Sequence, residues 1–486
     1  MVFNSLHFLI FFPIAIGLYY FTPYKWRWLV LTTLSYYFYM CWKAEYAFLI
    51  AFSTTVDYVC GIQMSKTNDK SKRKKWMLLS IFMNLGQLFL FKYLNFFTFS
   101  IIEPLNIFHN LPEFKLLLPV GISFYTFQSI SYTVDVYNGK APVEKHFGHF
   151  AMFVSYWPQL VAGPIERSWY MLPRLKANHD FSYENFRVGL IRVLWGLFKK
   201  AVIADRLAIF VRAVYQNPDD HGGFAIILAT WLFAIQVYCD FGGYCDIAIG
   251  CARMMGHNLS DNFKTPYFSK SITEFWRRWH ITLTNWIRDY LYIPLGGNRV
   301  PFGRLLFNTW FMLAVMGFWH GANWTFIMFG LIHGFYLVVA RVREKYAPNL
   351  QFSLGKNLQG VTNVFLMFWV FNLTCIPDIF FCSKDIHDAF QIIGNIFNAP
   401  DTTYNLIFNS SPNGAVTSSV EFYISLFFIV ILFFIDYQLY RNNDMNIDEV
   451  IVRKPVAVRW AFYVIFTVFL AWFAITTNSI FIYFQF

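Results

Sequence analysis

Two histidines in tryptophan-rich settings are the residues of this chain best suited to chemistry. Phe318-Trp319-His320-Gly321-Ala322-Asn323-Trp324 sets one imidazole between two apolar runs. Leu305 to Phe318 carries no Asp, Glu, Lys, Arg or His, and Trp324 to Ala340 holds only His333 of these. Arg304 bounds the pair on one side, Arg341 and Arg343 on the other. If both arms are helical, His320 lies about 24 Å from Arg304 at 1.5 Å per residue. That is deep in a bilayer, where an ionisable side chain is expensive and by default functional. The second imidazole, His280, stands in Phe275-Trp-Arg-Arg-Trp-His280. A neutral imidazole accepts a proton from a hydroxyl, the task of a general base in acyl transfer. His333, thirteen residues beyond His320, reads as structural.

The surroundings of His280 run from Ser271 to Arg299 and mix charges with tryptophans. Thr273 looks like a helix start, and Pro294 with Gly296-Gly297 a stop. The composition predicts an interfacial helix on the cytoplasmic side. Arg277, Arg278 and Arg288 suit two roles equally, headgroup anchors or forks for a phosphate-bearing ligand. With His280 on the cytoplasmic side and His320 deep in the bilayer, the two suggest a path from cytosol to outer face. Asp240 and Asp246, in Tyr238-Cys-Asp-Phe-Gly-Gly-Tyr-Cys-Asp246, are expected to pair with a cation such as one of the arginines, as helix-packing carboxylates. The seven cysteines include no CxxC pair and most lie in apolar runs, so buried inert thiols are expected rather than a disulfide framework or a zinc site.

The elements that must position these residues are membrane helices. Only 14% of the 486 residues are charged, 22% are aromatic, and the mean hydropathy is +0.42. Soluble chains carry about 25% charged residues, so most of this surface faces lipid. The net charge of +11 does not point to nucleic acid, because Lys and Arg concentrate in short loops such as Lys66 to Lys75. That is the positive-inside pattern. It predicts spans near 7–22, 28–42, 46–62, 76–98 and 116–136, the first being a membrane segment rather than a cleaved signal. The run 147–163 is flanked by basic residues at both ends, which predicts a re-entrant hairpin or a membrane-parallel helix. Segment 186–216, with Arg187, Arg192, Lys199, Lys200, Asp205, Arg206 and Arg212, is expected to be interfacial or packed inside protein. Spans near 224–252, the His320 hairpin, 360–381, a helix returning before Arg441, and 460–477 follow. The count is about ten crossings plus re-entrant pieces in one all-α polytopic domain, 1–486, with both termini outside.

The motifs carry a resemblance. Phe275-Trp-Arg-Arg-Trp-His280 with Arg288-Asp-Tyr and Pro294-Leu-Gly-Gly, then Trp319-His320-Gly-Ala-Asn-Trp324, resemble the membrane-bound O-acyltransferases (the MBOAT family). Leu118-Pro-Val-Gly-Ile-Ser-Phe-Tyr-Thr-Phe127, Asp135-Val-Tyr-Asn-Gly139 and Gln159-Leu-Val-Ala-Gly-Pro-Ile-Glu-Arg167 extend it towards the bacterial branch that serves alginate O-acetylation. The motif core covers about 115–345, with C-terminal helices and an aromatic tail over 356–486. The resemblance implies a ring of helices around a central tunnel, with His320 as the catalytic histidine and His280 as its partner. It implies acetyl-CoA as donor, with Arg277, Arg278, Arg288, Trp276 and Asn323 as candidate donor-binding residues, and no metal. The acceptor would be an extracytoplasmic polysaccharide, alginate-like or peptidoglycan, reached through a separate periplasmic or extracellular hydrolase-like O-acetyltransferase. The chain has no GxSxG motif of its own. The expected location is a bacterial inner membrane, among lipid.

The end of the chain, Phe481-Ile-Tyr483-Phe-Gln-Phe486, reads on its own as an external interfacial anchor. It resembles an aromatic tail of the same branch, which implies Tyr483 as a transient acyl acceptor activated by His320. The rivals are a D-alanyl-type acyltransferase using a carrier protein, and a transporter that moves a glycan or lipid without covalent chemistry.

Overall fold

A computed structural model describes residues 1–105, 114, 116–350, 352–408, 419–475, 481 and 482. Among the described residues all regular structure is helical. In hydrocarbon every backbone N–H and C=O must be paired within the protein, and a helix pairs them within one segment. Seven helical stretches among the described residues are long and apolar enough to cross a bilayer: Ala44–Ser65, Lys70–Ile102, Phe224–Met254, Trp324–Tyr346, Gln359–Cys382, Ser419–Arg441 and Val456–Phe473. Leu6–Phe21 is a shorter apolar helix, and Phe302–His320 forms the first arm of the histidine hairpin. The protein is therefore a polytopic membrane protein.

The chain divides into two compact units, Met1–Val193 with Tyr244–Asp261, and Leu194–Gly243 with Asn262–Phe486. In the first unit, buried polar clusters pin the helices. Asp57 on Ala47–Ser65 accepts from Ser80 Oγ at 2.6 Å and Asn84 Nδ2 at 2.8 Å, both on Lys70–Leu88. The apolar run after residue 147 forms a helix, Phe147–Ser155, that breaks at Tyr156 into a single turn, Trp157–Leu160. Both pieces are almost wholly buried in protein, so the basic flanks mark a buried broken helix rather than a lipid-facing one. Arg192 pairs with Asp246 at 2.5 Å and with Asp261 at 3.0 Å, as expected of a helix-packing carboxylate.

The second unit explains the charges of 194–216. Lys199, Lys200, Asp205 and Arg206 are buried, not interfacial. Lys200 Nζ lies 2.7 Å from Asp205 and 2.6 Å from Asp240, so the partner of Asp240 is a lysine rather than an arginine. Arg206 pairs with Glu421 and donates to the carbonyl of Phe473 at 2.7 Å. The helix turn that carries the lysines is wound as a π-helix over Phe198–Ala204, an irregularity frequent at functional sites.

Candidate active site

His320 is the last residue of the helix Phe302–His320, and Asn323 caps the next one, Trp324–Tyr346. Three glycines bring these arms together. A Cβ on Gly317 would stand 2.2 Å from the carbonyl oxygen of Phe326, and one on Gly330 2.3 Å from that of Leu313. At the turn, a Cβ on Gly321 would collide with the Phe326 ring at 2.1 Å. Small residues at these points let two membrane helices pack backbone to backbone, which fixes where the imidazole between them points. His320 is 5% exposed, with the rings of Phe381 at 5.4 Å, Phe329 at 5.9 Å and Trp319 at 5.1 Å.

His280 reaches the same place by a different device. The expected helix from Thr273 to Pro294 is broken. It starts with Ser271 as cap, runs Ile272–Arg278, stops at Trp279, and resumes as Ile281–Ile287 before a π-turn over Arg288–Tyr292. His280 sits in the break with φ 42°, a left-handed conformation that a residue bearing a Cβ adopts only at a cost. The break turns the imidazole inward, so that it is 1% exposed. Its ring is 6.4 Å from that of His320, and the two share one site. The picture of a cytoplasmic histidine well below a deep one is therefore corrected. A continuous interfacial helix would have kept His280 at the surface, and one residue in the left-handed region removes that constraint.

Phe241 at 4.7 Å, Trp319 at 6.0 Å and Phe263 at 6.4 Å complete the walls around His280. Its Nδ1 lies 3.1 Å from Asn262 Oδ1. That oxygen also accepts from the backbone N–H of Thr282 at 3.1 Å and from its hydroxyl at 3.0 Å. The Thr282 N–H can only donate, so the atom it meets is the amide oxygen, and Nδ1 of His280 must carry the proton towards it. Nε2 is then the basic nitrogen. Asn262 and Phe263 belong to none of the sequence motifs. An asparagine in a polar loop carries no signal until the fold shows what it faces.

Of the other candidates, Arg277 and Arg278 line one cavity of about 1140 Å³, with Lys264, Lys270, Arg343 and Trp369 among its walls. Arg278 is partly neutralised there by Glu274 at 3.0 Å and Asp444 at 2.6 Å. The remaining three do not line that cavity. Arg288 is exposed beside Asp289 at 2.8 Å. Trp276 is buried with its ring 4.9 Å from His333, which packs as a core residue. Asn323 accepts from Thr325 N at 3.2 Å and donates to the carbonyl of Lys384 at 2.9 Å, so it shapes the hairpin turn. Tyr483 lies outside the described residues. The two tail residues before it that are described, Phe481 and Ile482, are 2% and 5% exposed, so this part of the tail is buried rather than an exposed anchor.

Two buried imidazoles in an aromatic enclosure, one with its tautomer fixed, suit proton transfer with water held off. A family model described as the membrane-bound O-acyltransferase family matches residues 145–383. A probable alginate O-acetylase of Pseudomonas putida is 38% identical over 82% of this chain and 81% of its own length. A peptidoglycan O-acetyltransferase of Helicobacter pylori is 34% identical over 75% of this chain and 72% of its own. A teichoic acid D-alanyltransferase of Streptococcus thermophilus is 29% identical over 48% of this chain and 60% of its own.

Proposed function

The chain belongs to the membrane-bound O-acyltransferase family, and on that premise we propose that it moves an acetyl group from cytoplasmic acetyl-CoA across the inner membrane for O-acetylation of an extracytoplasmic polysaccharide. The observation that carries the reading is the pair of imidazoles 6.4 Å apart inside one aromatic enclosure. His320 is the general base. It takes the proton of an attacking hydroxyl, whose oxygen adds to the thioester carbonyl. The C–S bond then breaks, and the departing CoA sulfur leaves as a thiol with the proton that His320 returns. His280, held through its Nδ1–H by Asn262 Oδ1, keeps Nε2 unprotonated and serves beside His320 as a second acceptor for the hydroxyl proton. Arg277 and Arg278, on the wall of the 1140 Å³ cavity, hold the phosphates of the donor.

The hydroxyl acceptor we assign is Tyr483, whose phenol becomes a nucleophile only with a base beside it. A separate hydrolase-like O-acetyltransferase outside the membrane then collects the acetyl group and delivers it to a glycan such as an alginate-like exopolysaccharide or peptidoglycan. This arrangement puts both termini outside, in keeping with the basic loop Lys66 to Lys75 inside.

Purified protein in nanodiscs tests the reading through thiol release from acetyl-CoA and an acetyl adduct on Tyr483 detected by mass spectrometry. Thiol release should vanish in His320→Ala, and the adduct should vanish in Tyr483→Phe. Transfer at the parent rate in His320→Ala would remove the histidine from the mechanism. Turnover only with a D-alanyl carrier protein would replace the donor, and full activity in Tyr483→Phe would replace the acceptor.

A further inference from the structure

We infer that Asp240 is a positioning residue that latches the C-terminal tail beside the histidine pair through the backbone N–H of Ile482, with Lys200 as its counter-charge. A chain terminus normally frays unless something ties it down, and here two ties are visible. Just after the helix Val456–Phe473, Ile475 N donates to the carbonyl of Ala201 at 3.0 Å. Closer to the end, Ile482 N donates to Asp240 Oδ2 at 2.9 Å. The other oxygen of that carboxylate, Oδ1, lies 2.6 Å from Lys200 Nζ, which is shared with Asp205 at 2.7 Å.

The second tie is placed against the site. Phe481 lies 6.2 Å from the ring of Phe241, and Phe241 lies 4.7 Å from that of His280. The tail is thus separated from an imidazole by one aromatic side chain. The Asp240 carboxylate thus meets Lys200 through one oxygen and the Ile482 N–H through the other. A hydrogen bond to an ionised acceptor is roughly twice as strong as a neutral one. The latch grips backbone, so it sets the register of the tail without reading a side chain, and residue 483 is the next along the chain. The inference rests on the acyl-transfer reading for its purpose, but not on Tyr483 being the acceptor.

The test uses the full-length protein in nanodiscs, with hydrogen exchange of the C-terminal peptide and thiol release from acetyl-CoA as parallel readouts. Ile482→Pro removes the N–H while touching only the tail; Ile482→Ala keeps it. Asp240→Ala removes the acceptor, and Asp240→Asn keeps an acceptor oxygen. Exchange of the tail amides should speed up on the order of tenfold to a hundredfold in Ile482→Pro and Asp240→Ala, the weight of one charge-assisted hydrogen bond. Transfer should fall by a similar factor, with Asp240→Asn and Ile482→Ala closer to the parent. Unchanged tail exchange in both Ile482→Pro and Asp240→Ala, or full transfer in Ile482→Pro, would overturn the latch. A parent protein with no turnover would instead sink the acyl-transfer reading, and the exchange measurement would still decide the latch.

Discussion

Replacing Asn262 with alanine removes the side chain that faces Nδ1 of His280. The substitution removes three hydrogen bonds, to His280 Nδ1 at 3.1 Å, Thr282 N at 3.1 Å and Thr282 Oγ1 at 3.0 Å. Each neutral bond contributes about 1 kcal/mol net, and a buried donor left unpaired costs about 1–3 kcal/mol. The threonine hydroxyl can rotate to another acceptor, so the expected loss of stability is about 2–4 kcal/mol. The effect on catalysis has two parts. Without Asn262, the preference for the Nδ1–H tautomer weakens by the worth of one bond, about 1 kcal/mol. The left-handed backbone at His280, φ 42°, is also released from part of what holds it, and that conformation costs about 1 kcal/mol or more. Together these amount to about 2 kcal/mol, or roughly a thirtyfold fall in kcat. KM for acetyl-CoA should move little, since Asn262 does not line the cavity that holds Arg277 and Arg278. Asn262→Asp, which keeps the acceptor oxygen, should retain more of the rate. Thiol release and thermal unfolding measured on the same nanodisc samples separate the two consequences. A protein that is destabilised as calculated yet keeps kcat within about threefold would refute the claim that this tautomer matters.

Gly330→Val should separate the arms of the hairpin, because its Cβ would meet the carbonyl oxygen of Leu313 at 2.3 Å. The expected cost is about 1–3 kcal/mol in unfolding, with activity lost beyond that cost as His320 shifts. Lys200→Met should be more severe, about 3–5 kcal/mol by denaturation, because it takes away the buried ammonium that faces both Asp205 and Asp240. In the first unit, the Glu144 carboxyl would be raised by burial, yet Lys176 at 2.8 Å and the N–H of His146 hold it below its ordinary value of 4.5. A carboxyl depressed in the folded state adds stability that is full above the unfolded value and lost as pH falls through the folded one. The melting temperature should therefore drop as the solution is acidified below about pH 4.5, and Glu144→Gln should flatten that drop.

The apolar runs and the histidine hairpin were legible because hydropathy and helix rise are local properties. Gly317, Gly321 and Gly330 are equally visible as letters, but only the crossing of the two arms shows why they are glycines. The break at His280 was not legible. Nothing in Trp-Arg-Arg-Trp-His280-Ile forbids a continuous helix, and the left-handed turn is held by Asn262, eighteen positions from His280 and twenty from Thr282, which only the fold brings together. The charges of 194–216 signalled that the segment was unusual, yet their partners Asp240 and Glu421 are tens to hundreds of residues away in sequence. The burial of Phe481 and Ile482 was hidden for a similar reason. Aromatic residues at a chain end suit a membrane interface as well as an interior, and composition does not choose between them.

The irregular backbone around the site follows from a conflict that an acyltransferase in a membrane has to resolve. Lipid permits non-helical backbone only where protein or a cavity satisfies the freed groups. A helix continued through residue 280, however, would not turn its imidazole inward as the break does. The chain resolves this with local departures in a buried setting. The break at His280 returns its backbone to loop 262–265, with Ile281 N donating to Asn262 O at 3.0 Å and Lys264 N to Arg278 O at 3.0 Å. His320 instead ends its helix at a turn whose next residue has no side chain to obstruct Phe326. Each departure is compensated by a specific partner, and the partners Asn262, Phe326 and the Lys200 cluster surround the site without being its bases. Substitutions at those partners should therefore lower the rate while leaving both histidines present. That outcome distinguishes a geometry built for proton transfer from a pair of imidazoles merely packed in a core.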